Sequence, residues 1–176
     1  MSFEIEQREP IYQGRAFRVE RLGIRLPNGK KRLFDLVDHN PSITVIPVTE
    51  DGQVLFVRQH RVVISETMLE LPAGVLEDGE DPLEGARREL REETGMDARE
   101  MIKLGAVYLV PGYCNEFMHF YLARGLFPAP LAQDEDEFID LERFSLAETY
   151  RMARSGELND SKTLAALLLA ERELSI

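Results

Sequence analysis

The sequence predicts an α+β fold in which a mixed β-sheet packs against a few helices. Three observations predict it: the first third of the chain is rich in alternating, β-branched runs, a capped helical pattern follows the segment PAGVLEDGE, and two further helical patterns end the chain. The chain has 176 residues, of which 44% are hydrophobic, and this is enough for one domain with a real core and a small appendage.

Two turn signals organise the first strands. Asn28-Gly29 lies between alternating runs and predicts a hairpin, and Asp51-Gly52 repeats the design between runs rich in Val and Ile. Such runs are typical of central strands. Further strands are expected in TMLEL, MIKLGAVYLV and EFMHFYLARGL and after the acidic loop AQDEDEFID, and the last helices near SLAETYRMARSG and DSKTLAALLLAEREL.

The central helix has clear start and stop signals. Asp81 is placed to cap it, Pro82 suits the first helical position, and Gly95 supplies the stop. The residues expected to face the core recur at helical spacing: Leu83, Ala86 and Leu90.

The end of this helix collects carboxylates against the usual preferences of helices. Glu92 and Glu93 lie in the last turn, where the helix dipole disfavours anions, and Glu89 lies four residues before Glu93, where like charges repel. Arg88 is spaced to pair with Glu92. A solvated face would explain any single glutamate, whereas a divalent cation would offset the repulsion among all three, since Mg²⁺ prefers carboxylate oxygens. On the residues alone, both interpretations stay open.

Charge and cysteine content exclude some classes of function. The net charge of −11 argues against non-specific binding to nucleic acid or to an anionic membrane surface, since both attract basic faces. An anionic substrate remains compatible, because local arginines or metal ions can reverse the field. Cys114 is the single cysteine, and no signal peptide or membrane-spanning run is apparent, so a cytoplasmic protein is expected.

The segment from Gly74 to Met96 resembles the Nudix box, G-x5-E-x7-R-E-U-x-E-E-x-G-U, in which U is aliphatic. The resemblance implies the Nudix fold, a mixed sheet sandwiched between helices. It also implies hydrolysis of a nucleoside diphosphate linked to another group, with Mg²⁺ or Mn²⁺ as the cofactor. Every specified position is filled: Gly74, Glu80, Arg88, Glu89, Leu90, Glu92, Glu93, Gly95 and Met96.

The resemblance also assigns the metal ligands. Glu89 and Glu93 would bind metal directly, often with the carbonyl of Ala73, and Glu92 would be a further ligand or would support the others. Two or more ions per site are expected.

Other residues of the box would shape the site. Arg88 would orient the glutamates, and Glu80 would help to hold the loop and the helix together. Gly74 and Gly79 would serve the backbone geometry of the loop.

The rest of the chain resembles the ADP-ribose pyrophosphatase subfamily. The segments ELPAG and VRQHR match its entrance to the box and its V-x-Q-[YF]-R segment, although His60 replaces the usual aromatic residue. Arg61 would contact the diphosphate, with an ordinary surface arginine as the alternative, and Glu70 is a further candidate for substrate binding. Pro111 stands fifteen residues beyond Met96, where a proline is a mark of ADP-ribose hydrolysis in the family, although it could equally be an ordinary loop proline.

In this subfamily a loop after the box supplies catalytic glutamates. They match Glu135, taken as the base, and Glu137, taken as linked to the metal, although the two roles could be exchanged. Composition alone favours a solvated turn for this acidic loop.

The first strands of that subfamily cross to the other subunit and bring an aromatic residue to its site. Phe34 is the candidate for stacking on adenine, with core packing as the alternative. The resemblance therefore divides the chain into an antiparallel, dimer-forming extension at residues 1–40 and a Nudix hydrolase domain at 41–176.

The expected function is Mg²⁺-dependent hydrolysis of ADP-ribose to AMP and ribose 5-phosphate by a homodimer. The alternative is hydrolysis of another nucleotide sugar, such as GDP-mannose. A non-catalytic ADP-ribose sensor is disfavoured, because the box keeps all its glutamates and no basic DNA-binding helix is present.

Overall fold

The computed structural model describes residues 2–132 and 138–174 and divides into two compact units. The N-terminal unit contains the residues up to Pro41 together with Tyr108–Phe117, and the larger unit contains Ser42–Val107 and the residues from Met118 onward. The predicted division into a dimer-forming extension and a hydrolase domain stays a prediction, since compactness does not show what a unit does.

The N-terminal unit is built on an antiparallel sheet in the order β1-β2-β3. The hairpin predicted at Asn28-Gly29 is confirmed, because Arg25 pairs with Lys31 across it and Gly29 has a φ of 79°. The strands are β1 (Glu4–Gln13), β2 (Phe17–Arg25) and β3 (Lys31–His39).

The later segment of the N-terminal unit is hydrogen bonded to β3. The backbone N–H of Val37 donates to the carbonyl oxygen of Tyr113 over 2.7 Å, and the side chain of Asn115 accepts from the N–H of His39 over 2.8 Å. Asn115 also donates to Asp38, and this hydrogen bond is the main reason that the pKa of Asp38 is lowered.

The larger unit contains two sheets and three helices, which confirms the α+β prediction. One sheet is mixed, in the order β7-β4-β9-β8, and the other has the order β10-β5-β6. The remaining strands are β4 (Ser42–Pro47), β5 (Gln53–Arg61), β6 (Glu66–Glu70), β7 (Ala73–Val75), β8 (Met96–Tyr108), β9 (Phe117–Pro128) and β10 (Ile139–Ser145), and the helices are α1 (Pro82–Thr94), α2 (Leu146–Ser155) and α3 (Ser161–Leu174). None of these helices is long and apolar enough to cross a bilayer.

Strand β4 lies at the centre of the core of the larger unit. It runs parallel to β9 and antiparallel to β7, and all of its residues are buried. Ile43 and Val45 pack with Ala86 and Leu90 of α1. Successive side chains of a strand point to opposite faces, so Thr44, which lies between Ile43 and Val45, faces away from α1. Strand β4 also contacts α3.

The second predicted hairpin is wrong in its pairing. A turn does form at Asp51-Gly52, where Gly52 has a φ of 77° and donates its N–H to Thr49. Beyond an isolated bridge between Val48 and Val54, however, β4 and β5 enter different sheets. Each lies between two other strands, as their Val- and Ile-rich sequences predicted, and this leaves neither with a free edge for the other.

The local signals of α1 are confirmed. The side chain of Asp81 accepts hydrogen bonds from the N–H groups of Leu83 and Glu84, over 2.9 and 3.3 Å, and Gly95 ends the helix with a φ of 71°. The bounds of this helix fix where the glutamates of its last turns lie.

Candidate active site

The carboxylate of Glu89 lies directly against the backbone of β7. A Cβ built on Gly74 would lie 1.9 Å from Oε1 of Glu89, which is far inside any possible contact. Gly74 is therefore needed for space, and not for the backbone angles that the sequence suggested. Gly79, with a φ of 80°, does fit the backbone explanation.

Glu93 is held against the same strand. Its Oε2 accepts a hydrogen bond from the backbone N–H of Ala73 over 2.9 Å. Glu89 and Glu93 retain only 8% and 4% of their surface exposed, so the helix turns both carboxylates toward residues 73–74 and away from bulk water. Their burial does not agree with a merely solvated acidic face.

Arg88 joins three carboxylates, and we call Glu80, Arg88, Glu89 and Glu92 the Arg88 cluster. Its Nη1 donates to Glu89 over 2.7 Å and to Glu92 over 2.9 Å, so the i,i+4 pair that the spacing allowed is present. Its Nε and Nη2 donate to the two oxygens of Glu80 over 2.9 and 3.0 Å. Glu80 in turn accepts from the N–H of Glu77 over 2.9 Å, which links the loop before α1 to the helix.

The Arg88 cluster carries excess negative charge. The hydrogen bond to Glu80 raises the pKa of Arg88, and the hydrogen bond from Arg88 lowers the pKa of Glu80, so both stay ionised. One guanidinium cannot neutralise three carboxylates, and Glu93 adds a fourth acid to the same helix end. This excess of negative charge is the electrostatic setting that a cation would relieve.

The donor set fits a hard divalent cation. Carboxylate and carbonyl oxygens are the ligands that Mg²⁺ and similar ions prefer, and a carboxylate that accepts one hydrogen bond keeps other acceptor positions. Across residues 2–132 and 138–174, no three acidic, histidine or cysteine side chains are grouped closely enough to hold an ion as they stand. Glu89 and Glu92 instead share Nη1 of Arg88, so a bound cation would compete with that nitrogen for them.

A second group of charges surrounds Glu70, and we call Arg61, Glu70, Asp160 and Lys162 the Glu70 cluster. Arg61 forms a bidentate pair with Glu70, from Nε to Oε1 over 2.7 Å and from Nη2 to Oε2 over 2.6 Å. The Nζ of Lys162 also donates to Oε2 of Glu70 and, over 2.9 Å, to Asp160. Glu70 is 1% exposed. Burial alone would raise the pKa of Glu70, but the hydrogen bonds and charges of Arg61 and Lys162 outweigh that effect and lower it.

Arg61 of the Glu70 cluster interacts electrostatically with Glu93 of α1. The hydrogen bond to Glu70 raises the pKa of Arg61 against the effect of burial, and the negative charges of Glu70, Glu93 and Asp160 raise it further. Arg61 therefore lies within electrostatic range of a carboxylate at the end of α1. The larger unit thus brings together Arg61, Glu70, Ala73, Arg88, Glu89, Glu92 and Glu93.

The other four candidate residues belong to the N-terminal unit or lie outside the described residues. Phe34 and Pro111 belong to the N-terminal unit. Within one chain Phe34 is 47% exposed, so the alternative of core packing is wrong for it. Glu135 and Glu137 lie outside the described residues. The segment that contains them leads to β10, whose first residue, Ile139, pairs with Gln59.

Sequence reasoning missed the residues at the start of α3. Asp160 caps this helix by accepting from the N–H and the hydroxyl of Thr163, over 3.1 and 2.7 Å. The Asp-x-x-Thr spacing could have revealed the cap. The contact of Lys162 with Glu70 joins residues 92 positions apart, and no local pattern predicts it.

The chain is similar to known proteins over most of its length. A model of the NUDIX domain matches residues 38–167. The chain is 36% identical to the ADP-ribose pyrophosphatase of Bacillus subtilis (strain 168), across 91% of this chain and 88% of that protein. It is 37% identical to the methanol dehydrogenase activator of Bacillus methanolicus, across 90% and 87% of the two chains.

Two further similarities concern substrate and fold. The chain is 31% identical to the GDP-mannose pyrophosphatase of Yersinia enterocolitica, across 80% of this chain and 86% of that protein. A solved structure described as an ADP compounds hydrolase matches with a TM-score of 0.90 and 26% identity, covering 99% of this chain and 95% of that one.

Proposed function

We propose that this chain, which belongs to the Nudix family and is a Nudix hydrolase, cleaves the diphosphate bond of ADP-ribose to give AMP and ribose 5-phosphate. The observation that carries the proposal is that the larger unit brings together groups of opposite charge. Buried carboxylates with excess negative charge lie at the end of α1, and a partly exposed arginine, Arg61, interacts electrostatically with one of them, Glu93.

The carboxylates of the box are proposed to hold the divalent ions with which Nudix hydrolases act. Glu89 and Glu93 are the proposed direct ligands, with the carbonyl of Ala73, and Glu92 is a further ligand or a support for them. When bound, Mg²⁺ or Mn²⁺ neutralises the diphosphate and lowers the pKa of the attacking water. We propose Mg²⁺ or Mn²⁺ in two or more copies, because at least three acids are collected here.

In this proposal, side chains of the protein orient the ligands, bind the diphosphate and accept the proton of the attacking water. Arg88 fixes the rotamers of Glu89 and Glu92 through the contacts described above. Arg61 donates N–H groups to the diphosphate, for which a guanidinium is suited by its planar fork of donors. Glu135 is proposed to take the proton of the attacking water and Glu137 to assist the metal, both on the resemblance alone.

The choice of ADP-ribose rests on similar proteins. The relative from Bacillus subtilis is named an ADP-ribose pyrophosphatase, and the solved structure is described as an ADP compounds hydrolase. Hydrolysis of GDP-mannose is the second candidate, because a relative named for that substrate is 31% identical.

A substrate panel tests this choice. The purified protein is incubated with ADP-ribose, GDP-mannose and other nucleotide sugars and with Mg²⁺ or Mn²⁺, and a phosphatase that acts only on terminal phosphates releases phosphate from the products. We expect ADP-ribose to be cleaved fastest and EDTA to stop the reaction. Faster cleavage of GDP-mannose would support the second candidate, and binding of ADP-ribose without cleavage would support a sensor.

We also propose a homodimer that forms through the N-terminal unit. Its sheet exposes many large apolar side chains, which is unusual for a surface in contact with water. Phe34 is among them, and we propose that it stacks on adenine. Phe3 directly precedes the sheet, and the exposed large apolar residues within the sheet are Ile5, Ile11, Tyr12, Phe17, Leu33 and Phe34.

Removal of residues 1–40 tests the dimer. We expect light scattering after size-exclusion chromatography to show a weaker dimer, and calorimetry to show weaker binding of ADP-ribose. A truncated protein that stays dimeric and binds normally would contradict this arrangement. The cytoplasmic location stays a prediction.

A further inference from the structure

We propose that Lys162 is a positioning residue for substrate binding, and that it acts by sharing the buried carboxylate of Glu70 with Arg61. The inference rests on the proposed function, because the ligand that Arg61 would bind is the diphosphate of the substrate.

The geometry shows two cations on one buried carboxylate. Glu70 accepts a bidentate pair from Arg61, and Oε2 also accepts from Lys162. The side chain of Glu70 is 2% exposed and that of Lys162 is 11% exposed, whereas that of Arg61 is 42% exposed. The cluster therefore presents its positive charge to solvent only at the Arg61 end.

The donors that Arg61 keeps are suited to an anion. Its contacts within the described part of the chain use Nε and Nη2, and both go to Glu70. The pair fixes the plane of the guanidinium, while the N–H groups of Nη1 are left for a ligand. A planar group that is already held loses less entropy when it binds.

Lys162 also affects how strongly the positive charge of Arg61 can attract an anion. If Glu70 faced Arg61 alone, the two charges would cancel and the pair would attract an anion weakly. Because Lys162 pairs with the same carboxylate, Glu70 neutralises Arg61 only in part, and Arg61 attracts an anion more strongly. Asp160 has the opposite effect, since its negative charge pairs with Lys162 over 2.9 Å.

The start of α3 sets the position of Lys162. Thr163, the next residue, accepts a hydrogen bond through its hydroxyl from the N–H of Leu71 over 3.0 Å. Leu71 directly follows Glu70, so the helix is fixed beside the carboxylate at two successive positions. This contact places the ammonium group on Glu70 rather than in solvent.

A double-mutant cycle between Lys162 and Arg61 tests the proposal. Binding of ADP-ribose is measured by calorimetry in EDTA, which prevents turnover, for the wild type, Lys162→Met, Arg61→Gln and the double variant. We expect Lys162→Met to weaken binding roughly tenfold in the wild type and to have no effect when Arg61 is already replaced. With Mg²⁺ present, KM should rise while kcat changes little.

Three further variants serve as controls. Lys162→Arg should restore binding, because it keeps the charge on Glu70. Lys103→Met removes the same charge from an exposed position on β8 and should leave binding unchanged. Asp160→Asn keeps a capping side chain but frees Lys162 for Glu70, so it should tighten binding roughly threefold, and only where Arg61 is present.

A purely structural salt bridge would give different results. Lys162→Met would then lower the melting temperature without changing the Kd, or would weaken binding equally in both backgrounds, and either outcome overturns the proposal. If Lys162→Met does not fold, the sign of the Asp160→Asn effect decides, since weaker or unchanged binding there also overturns it. A wild type that neither binds nor cleaves ADP-ribose would instead refute the proposed function.

Discussion

The two charge clusters of the larger unit differ in their proportion of acidic to basic side chains. In the Arg88 cluster one guanidinium serves three carboxylates, whereas in the Glu70 cluster one buried carboxylate serves two cations. The first is left with excess negative charge. The second is balanced by Asp160 in its interior and presents a guanidinium at its exposed end.

In the proposed function, the two clusters would bind two different kinds of ligand. A hydrolase that acts on a diphosphate must bind cations and an anion within a few ångströms, and no single group attracts both. The proposed site would meet that need, because the Arg88 cluster has more carboxylates than its one guanidinium can neutralise and the Glu70 cluster holds a partly exposed arginine. Substitutions that change the proportions of either cluster should therefore break one kind of binding and spare the other.

The largest effect is expected from Glu93→Gln, which removes one negative charge from the acidic helix end. The shape of the side chain is kept, so the fold should stay intact, while kcat should fall by about a hundredfold or more. Steady-state kinetics with a thermal melt would measure both. Glu84→Gln, on the exposed first turn of α1, is the matched control. Near-normal turnover in Glu93→Gln would contradict the metal assignment.

Gly74→Ala should have the next largest effect. The new methyl group would collide with Glu89, because the site of a Cβ lies 1.9 Å from Oε1. We expect activity to fall roughly 10- to 100-fold and stability to fall by about 1–3 kcal/mol. Gly112→Ala, at a position where a Cβ would meet nothing within 4 Å, should leave stability unchanged. Full activity in Gly74→Ala would show that Glu89 has room to move without loss.

Arg88→Lys tests whether the shape of the guanidinium matters as well as its charge. A lysine cannot hold Glu80, Glu89 and Glu92 together in one plane, so the carboxylates should become less ordered. Activity should fall roughly tenfold, and the Mg²⁺ concentration for half-maximal rate should rise. Arg87→Lys, which alters a neighbouring arginine paired with Asp97, is the control. Equal metal dependence in Arg88→Lys and Arg87→Lys would argue against an orienting role.

The smallest effect concerns stability and its dependence on pH. The pKa of Glu70 is lowered in the folded state, so its contribution to stability is present above the ordinary carboxyl pKa, about 4.3, and is lost as pH falls through the lower folded value. The difference in the free energy of unfolding between the wild type and Glu70→Gln should therefore become smaller in acid, by at most about 1.4 kcal/mol for each pH unit. Urea unfolding between neutral and acidic pH would measure it, and a constant difference would contradict the assigned pKa.

Local chemistry made some elements readable from the sequence. The structure confirms that α1 begins after Asp81 and ends at Gly95, as the sequence predicted. It also contains the ion pair that the i,i+4 spacing of Arg88 and Glu92 allowed. These signals act over a few residues, so the sequence contains all of the information. The resemblance to the Nudix box then extended the prediction to the family.

Long-range choices were not readable. The turn at Asp51-Gly52 was predicted correctly, but the sheets that β4 and β5 join depend on which distant strands compete for their edges. Arg61 and Glu70 were singled out separately, and their pairing with Lys162 depends on how α3 packs. Gly74 was noticed as a glycine, but the reason for it is a carboxylate fifteen residues later in the chain.

The hydrogen bond between the Ala73 amide and Glu93 gives the protein a built-in reporter. A backbone proton exchanges with deuterated water only when its hydrogen bond opens. The exchange rate at Ala73 therefore counts how often the carboxylate swings away from the strand, with no substrate or label added. An ion that captured Glu93 would change that rate at one identifiable position in the amide spectrum.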